Sequence, residues 1–531
     1  MWDGGRLTPA ALFGYATAME WQQTAESGAD EILRGLNPVQ REAVVFGDGA
    51  LLILAGAGSG KTRVLTRRIA HLILHRGIAS DRILAVTFTN KAAGEMRERV
   101  SGLLGFDVKG LWIGTFHAIC LRLIRRHSAR LGFPGQVTVF DADDQAAILK
   151  EILKEEQSAP AHRAAAGDAS DTLKVRQLQS IISLAKNKLW SPADLEANWP
   201  RPERSTLAHL YQRYQEKLRA QQGVDFDDIL VLAVRLLEED PELGDAYANR
   251  FRHILVDEYQ DTNHVQFRLI RRLAQAHGNI LVVGDDDQSI YGWRGADLGN
   301  ILDFEEHFPR AHVLRMTQNY RSTSAICELA NAVVSRNVRR REKSLWTERE
   351  GGIRPEFFLA ENEEEEARRV LRSIERMRRE RGLRYGQVAI LYRVHAQSRP
   401  FEEACLQSAI PYALVGGTLF YQRREVKDLV AYVRLAANHL DGVSFARALN
   451  VPPRGLGAVS EAGLLRAAER LGGNLVEACL APEAAAGLRG KALQSARAFG
   501  SLLRDLAARL DEGPAALLRH VVEQTRYLEW L

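Results

Sequence analysis

Cysteine is scarce in this sequence of 531 residues: Cys120, Cys327, Cys405 and Cys479 stand far apart, with no C-x-x-C pair. That spacing excludes a disulfide framework and a cysteine-held zinc site, and it suits a reduced, intracellular setting. Long apolar runs are missing too; none approaches the roughly 18 uninterrupted residues of a membrane span. The opening Met1-Trp2-Asp3-Gly4-Gly5 lacks the basic-then-apolar order of a secretory signal, so a cytoplasmic chain is expected. Nor does one sign of charge dominate: 71 Lys and Arg face 67 Asp and Glu, a formal net charge of +4. So even a balance neither demands nor forbids a nucleic-acid partner, and any basic surface has to be local. No tandem repeat of fixed period occurs. What remains is a globular composition, 46% hydrophobic and 26% charged, which rules out disordered and collagen-like chains. At roughly 150 residues per domain the length allows three or four domains.

Residues 1–35 are polar and Gly-rich and read as an extension. From residue 50 a short apolar strand, a polar turn and an amphipathic helix recur. The strands expected are Leu51–Ala55, Ile83–Thr87, Ile254–Val256, Ile280–Val283, Val313–Met316 and Val388–Tyr392. Runs this apolar fit strands buried on both faces, hence parallel sheets in an α/β fold. Residues 116–250 change to helical periodicity, with a loop near Ala159–Ser170, and read as a helical insertion. A second α/β unit is expected from residue 313, and helices again from about 415 to the end. The acidic run Glu363–Glu366 reads as a solvated helix start, where carboxylates favour the positive dipole end.

The sharpest local signal is Gly56-Ala57-Gly58-Ser59-Gly60-Lys61-Thr62. It follows an apolar strand and opens a helix, the context of a phosphate loop, although Ala55 stands where G-x-x-x-x-G-K-[ST] has its first glycine. Glycines let backbone N–H groups curl around phosphate oxygens, and the helix N-terminus adds its dipole. Lys61 is expected at the β- and γ-phosphates of a nucleoside triphosphate, and Thr62 at a Mg²⁺ ion. Such a loop needs a carboxylate at the end of a neighbouring strand. Ile254-Leu255-Val256-Asp257-Glu258 supplies Asp257 for Mg²⁺ and Glu258 to polarise the attacking water.

Further segments, in order, resemble the motifs of superfamily 1 DNA helicases of the UvrD/PcrA/Rep group, from about residue 36 to the end. They are Leu36-Asn37-Pro38-x-Gln40; Val86-Thr87-Phe88-Thr89-Asn90-Lys91-Ala92-Ala93; Gly114-Thr115-Phe116-His117; Asp257-Glu258-Tyr259-Gln260-Asp261; Val283-Gly284-Asp285-Asp286-Asp287-Gln288 with Ser289-Ile290-Tyr291-Gly292-Trp293-Arg294-Gly295-Ala296; and Gln318-Asn319-Tyr320-Arg321-Ser322. Leu391-Tyr392-Arg393 with Ala396-Gln397-Ser398-Arg399 is similar to a later motif, with His395 where Asn is the family's habit, and Phe420–Asp428 is similar to the segment after it.

The resemblance implies two RecA-like P-loop domains with parallel sheets, each carrying a mostly helical insertion. The first would comprise 36–115 and 251–312, with 116–250 inserted. The second would begin with 313–414, and 415–531 would be its insertion. ATP would be held by Gln40 on the base, by Ala57, Gly58, Ser59, Gly60, Lys61 and Thr62 on the phosphates, and by Arg63 and Tyr320 around adenine and ribose. Gln288 and Arg321 would reach the γ-phosphate beside Lys61, Asp257 and Glu258. Single-stranded DNA would meet Phe88, Asn90, Lys91, Thr115, Phe116, His117, Phe226, Tyr291, Trp293, Arg294 and Arg393. Aromatics beside cations suit that partner physically, since bases stack on rings for roughly 1–3 kcal/mol each without sequence preference. Core packing is the other reading of Phe88, Phe116 and Phe226, and a surface helix position that of Arg63.

Residues 315–349 hold eight basic against three acidic side chains, and Arg339-Arg340-Arg341 with Lys343 either touches backbone phosphate or forms a solvated face. The turn Asn450-Val451-Pro452-Pro453-Arg454-Gly455-Leu456-Gly457 resembles one by which the family holds duplex DNA, through Gly455 and Gly457. The implied activity is an ATP-dependent helicase moving 3′→5′ on single-stranded DNA, acting at junctions with duplex in repair or replication restart. Repair proteins would be its partners; monomer and dimer both stay open. The alternative is an ATP-gated single-strand-binding module or a motor that does not unwind. Residues 429–531 contain no text of the form G-L-E-F or E-E-x-R-x-x-Y-V, so the family's motifs V and VI are expected to be absent here and unwinding to be poor.

Overall fold

The structure is a computed structural model that describes residues 31–108, 110–133, 137–158, 174–415, 423–482 and 486–531. The loop expected at Ala159–Ser170 and the start of the Phe420–Asp428 segment lie outside them. Contacts divide the chain into two units: one running to Ile353 and including 437–443 and 465–478, the other formed by Arg354–Ala436, Ser444–Leu464 and Cys479–Leu531.

The first unit is built on a parallel sheet. Its strands are β1 (Ala50–Ala55), β2 (Ile83–Thr87) and β3 (Trp112–Thr115), and then, after two short strands β4 (Thr138–Val139) and β5 (Gly223–Val224), β6 (His253–Val256), β7 (Ile280–Gly284) and β8 (His312–Met316). The sheet order is β3-β2-β6-β7-β1-β8, while β4 and β5 pair only with each other. The apolar runs explain the parallel arrangement, because alternate residues enter different cores. Leu51, Ile53, Leu255, Leu281 and Val283 pack with Val64, Ile69 and Met96 on one face. Leu52, Leu54, Ile254, Val256 and Val282 pack with Phe116, Leu123, Val234 and Ile270 on the other. A sheet covered on both faces is an α/β architecture.

Five of the six expected strands are present. Val313–Met316, however, does not open a second sheet: β8 lies parallel to β1, from Leu51 opposite His312 to Ala55 opposite Met316. Among the described residues no strand follows Met316, so Val388–Tyr392 is not one. A run of strand-like composition needs a neighbour to take its N–H and C=O groups, and Leu391 is 93% exposed. The insertion is helical as expected, but its own core, with Ile152, Leu178, Ile182, Leu207 and Tyr214, is narrower than 116–250. The helices Phe116–Arg126 and Phe226–Glu239 instead contribute to the sheet's core. The extension also ends earlier than residue 35, since Ile32 is fully buried in that sheet's other core.

Among the described residues of the second unit every regular element is a helix. Glu363–Arg381 begins with the four glutamates, is capped by Asn362, and ends with Arg378, Arg379 and Arg381 before Gly382 at φ 65°. Its Leu371 and Ile374 pack with Ala404 and Cys405. No described helix is long and apolar enough to cross a membrane.

Candidate nucleotide and nucleic-acid site

Strand β7 lies between β1 and β6, so the loops leaving β1, β6 and β7 emerge side by side at the C-terminal edge of the sheet, where α/β folds place ligands. After β1 the chain turns through Gly58 at φ 68° and Gly60 at φ 91° into the helix Lys61–Leu74. No side chain caps that helix. Its first-turn N–H groups are therefore open to an anion. The loop is braced from outside. Ser59 Oγ donates to the Gly56 carbonyl at 2.6 Å, and Gln40 Nε2 donates to the Ser59 carbonyl at 2.8 Å. Gln40 is fully buried and its Oε1 accepts from Asn37 N, so here it secures the loop rather than presenting a free edge to a base.

Lys61 Nζ forms an ion pair with Glu258 Oε2 at 2.7 Å. Asp257 is buried, and its N–H donates to the Val86 carbonyl at 2.9 Å, continuing the ladder beyond β6. Burial and the neighbouring Glu258 charge push its carboxyl up to about 6, against the opposing pull of Lys61. A buried acid so poorly compensated, with the Thr62 hydroxyl as a second hard oxygen donor on the helix opening, is a donor set that fits Mg²⁺. Glu258 sits at φ 49°, ψ 46°. A left-handed glutamate stores strain of the kind found where a side chain must be aimed.

Gln260 has a role that its place in the motif does not reveal. Its Nε2 donates to Glu258 Oε2 at 3.0 Å while its Oε1 accepts from Asp285 N at 3.0 Å, joining the Asp-Glu pair to the loop after β7. In that loop Gln288 Nε2 donates to Asp285 Oδ2. Asn319 is a second residue of this kind. It is buried, donates through Nδ2 to the Ala57 carbonyl at 2.7 Å, and accepts from the N–H groups of Arg321 and Ser322. This Asx-type turn holds the exposed Arg321 beside the phosphate loop, and Tyr320 N donates to the Gly58 carbonyl at 3.0 Å. The Tyr320 hydroxyl accepts from Asn37 Nδ2 at 2.8 Å, and Arg63 reaches the Arg34 carbonyl, so both flank the loop on the Asn37 side. The basic run 339–343 is neither a solvated face nor open to phosphate throughout: Arg340 pairs with Asp287, and Lys343 with Asp285, Asp286 and Asp287.

The expected DNA-contacting residues separate by burial. Trp293 is 63% and Phe226 49% exposed, and Asn90 and Lys91 are exposed. Tyr291 lies 6.4 Å from the Trp293 ring, and His117 5.8 Å from that of Phe226. Burial lowers the His117 pKa, partly offset by its hydrogen bond to the Phe226 backbone. Thr115 caps the helix that follows it through Ala118 N, and Arg294 closes a single 3-10 turn with Gly292 and Trp293. Phe116 is a correction: at 2% exposed it belongs to the core, packed edge-on to the half-buried Phe88 at 5.8 Å. Asn187 bridges two of these places, donating to Asp227 Oδ1 at 3.0 Å and lying against Gly295. In the second unit Arg393 is exposed, as are Gly455 (φ 71°) and Gly457, where an added Cβ would meet nothing. Arg454 turns inward instead, to the Tyr432 hydroxyl and the Ala448 and Leu449 carbonyls.

Residues 36–309 match the profile of the UvrD/REP helicase N-terminal domain, and 314–479 that of the UvrD-like helicase C-terminal domain. The chain is 41% identical over 504 residues to the ATP-dependent DNA helicase PcrA of Bacillus subtilis (strain 168), a match covering 95% of this chain and 67% of that protein. It is 42% identical over 516 residues to the ATP-dependent DNA helicase UvrD1 of Mycobacterium tuberculosis (strain ATCC 25618 / H37Rv), covering 94% and 65%. With PcrA of Staphylococcus aureus (strain NCTC 8325 / PS 47) it shares 44% over 429 residues, covering 81% and 57%. The matches thus span from 57% to 67% of these relatives' length. Two adjoining profiles, together with a phosphate loop, an Asp-Glu pair and a ring-bearing loop on one sheet edge, make this chain a member of the UvrD/REP helicase family.

Proposed function

We propose that this protein is an ATP-dependent DNA helicase that moves 3′→5′ along single-stranded DNA and opens duplex at junctions, in the cytoplasm and in the service of DNA repair or replication restart. The observation that carries the reading is the contact of Lys61 with Glu258 at 2.7 Å, beside Asp257 and linked by two hydrogen bonds of the Gln260 side chain to the loop that bears Tyr291 and Trp293. Hydrolysis and base stacking are thereby tied to one short stretch of chain.

Lys61 releases Glu258 when ATP phosphates take its charge. Glu258, freed, accepts a proton from the attacking water, while Gln288 and Arg321 stabilise charge on the γ-phosphate. Thr62 and Asp257 would hold Mg²⁺, which when bound neutralises phosphate charge. Gln260 senses the state of Glu258 and passes it to Asp285, shifting the loop on which Trp293 stacks. Phe88, Phe226 and Tyr291 grip neighbouring bases, and Asn90 and Lys91 the backbone. Gly455 and Gly457 offer main-chain N–H groups to duplex phosphate.

The test is ATP turnover with and without oligo-dT, beside displacement of a labelled strand from duplexes with a 3′ or a 5′ tail. DNA-stimulated turnover is expected, with whatever displacement occurs confined to the 3′-tailed substrate. Turnover indifferent to DNA would defeat the reading, and stimulated turnover without displacement would leave the ATP-gated binding module in its place.

A further inference from the structure

Lys343 is an enclosed charged side chain near the site that no role above uses. Its side chain is 3% exposed, and its ammonium lies 2.9 Å from Asp285 Oδ1, 2.5 Å from Asp286 Oδ1 and 2.8 Å from Asp287 Oδ2. Three carboxylates gathered like this could hold a cation, and the lysine already supplies it: three N–H donors, one per acid. Arg340 adds a contact to Asp287 at 2.9 Å, Asn337 Nδ2 another at 3.1 Å, and Arg341 N donates to Asp286 Oδ2 at 2.7 Å. Burial opposes the charge on Lys343, but its bonds to Asp286 and Asp287 outweigh that and raise its pKa.

The same stretch of chain is fastened at its other end. Leu345 exchanges hydrogen bonds with Asn331, and the Trp346 carbonyl accepts from Asn319 N at 2.7 Å. Leu345 also lies so close to the phosphate loop that a Cβ on Gly56 would come within 2.2 Å of its Cδ2. Residues 337–346 therefore form a strap. One end holds the turn that carries Gln288; the other holds Asn319, whose side chain fixes Arg321.

We propose that Lys343 is a positioning residue for ATP hydrolysis: by clamping Asp285, Asp286 and Asp287 to this strap it fixes the spacing of Gln288 and Arg321, so that both meet the γ-phosphate together. The inference rests on the helicase reading for its chemistry, though not for the clamp itself. A lysine suits the place because three acids converge on one point; a planar guanidinium cannot reproduce that geometry. The turn it holds also leads directly into Tyr291 and Trp293, so the clamp bears on DNA-stimulated turnover as well.

The experiment compares the full chain with its K343M, K343R and R340Q variants. Turnover is measured at saturating oligo-dT over a range of ATP, and backbone hydrogen exchange in peptides spanning 284–294 and 51–62. For K343M, kcat should fall by about a hundredfold, the scale of a misplaced reacting group, while KM for ATP moves by less than about twofold. Exchange should quicken in 284–294 and stay parental in 51–62. K343R should fall between, and R340Q should move in the same direction by less. Parental exchange in 284–294 overturns the proposal. So does a loss of kcat that only follows the folded fraction seen by circular dichroism. Should K343M not fold, K343R and R340Q decide by the same two readouts. If the parent shows no DNA-stimulated turnover, the helicase reading fails, and the exchange data alone still judge the clamp.

Discussion

Lys61 and Glu258 meet at 2.7 Å although they follow β1 and β6, strands separated in the sheet by β7. The contact spans the place where β- and γ-phosphates are expected, so the pair has to part when ATP enters. Glu258→Gln keeps the shape and removes the proton acceptor; turnover should fall by about a hundredfold or more, with ATP affinity retained. Lys61→Ala should lose affinity as well, since it removes the cation itself. Nucleotide titration beside phosphate release separates the two variants. Near-parental turnover by Glu258→Gln would remove that residue from the chemistry.

The path from Glu258 to the loop after β7 runs through Gln260, and Gly284 makes room for it. A Cβ at Gly284 would lie 2.7 Å from Gln260 Oε1, 2.8 Å from Ile301 Cδ1 and 3.2 Å from Gln260 N. Gly284→Ala should cost about 1–3 kcal/mol of stability by overpacking, measurable by urea denaturation. Gln260→Ala in the same chain should recover part of that, because the two positions share a contact. Strict additivity of the two changes would show that Gln260 is not the group displaced.

Much of this site was readable because it is local in sequence. A strand, a glycine turn and a helix lie within residues 50–74, and Asp257 and Glu258 directly follow β6. What escaped depends on partners far along the chain. Lys343 finds Asp286 across 57 residues, and a basic run gives no sign of which acids it meets. β8 is the strand its residues predict but joins the first sheet beside β1, since an apolar run fixes burial and not its neighbour. Val388–Tyr392 shows the converse: strand-like residues without a ladder stay irregular. Phe116 and Phe226 are alike as letters in loop-to-helix text, and only the packing of each helix separates the core ring from the exposed one.

That separation gives a contrast in binding. Trp293→Ala and Phe226→Ala should each weaken oligo-dT binding by about 1–3 kcal/mol while leaving the melting temperature near its parental value. Phe116→Ala should instead lose about 3–5 kcal/mol of stability, since its ring fills the core beside Phe88. Fluorescence anisotropy and thermal melts on the three variants check both halves. A Trp293→Ala chain that melts early and binds normally would make that ring structural.

In the insertion, Lys186 is buried between Asp225 at 2.6 Å and Asp228 at 2.8 Å, with the Tyr214 hydroxyl donating to Asp225 at 2.9 Å. Burial opposes all three charges. Asp225 and Asp228 together outweigh it for Lys186 and raise its pKa, whereas the Asp228 carboxyl is pushed up to about 6 by burial and the Asp225 charge. Lys186→Met strands two acids and should cost about 3–5 kcal/mol. Changing Asp225 and Asp228 to Asn in the same chain should restore much of it, because the amides remain able to cap the helix that Phe226 opens. Failure of the triple variant to recover would mean that the charges, and not their mutual compensation, hold this part of the insertion.

Acid stability follows from His253, the first residue of β6, which is buried beside Arg68. The Arg68 guanidinium is itself tied to the Val44 and Gly47 carbonyls at 3.0 Å each and cannot move aside. Burial and Arg68, with smaller contributions from Arg76 and His277 against Asp48, lower the imidazole from 6.5 to about 4. The folded chain therefore keeps His253 neutral where the unfolded chain has protonated it. The unfolded state binds more protons between these two values, so stability is complete above 6.5, declines as pH falls, and this contribution is lost below about 4. With partial screening, the loss from about pH 7.5 to about pH 5 should be about 1–2 kcal/mol. His253→Leu removes the titration while keeping an apolar side chain, so its stability should vary less with pH by that amount in urea melts at the two pH values. Equal pH dependence in parent and variant would assign the acid lability to other groups, with His71, also lowered to about 4 by burial and by His75, the next to replace.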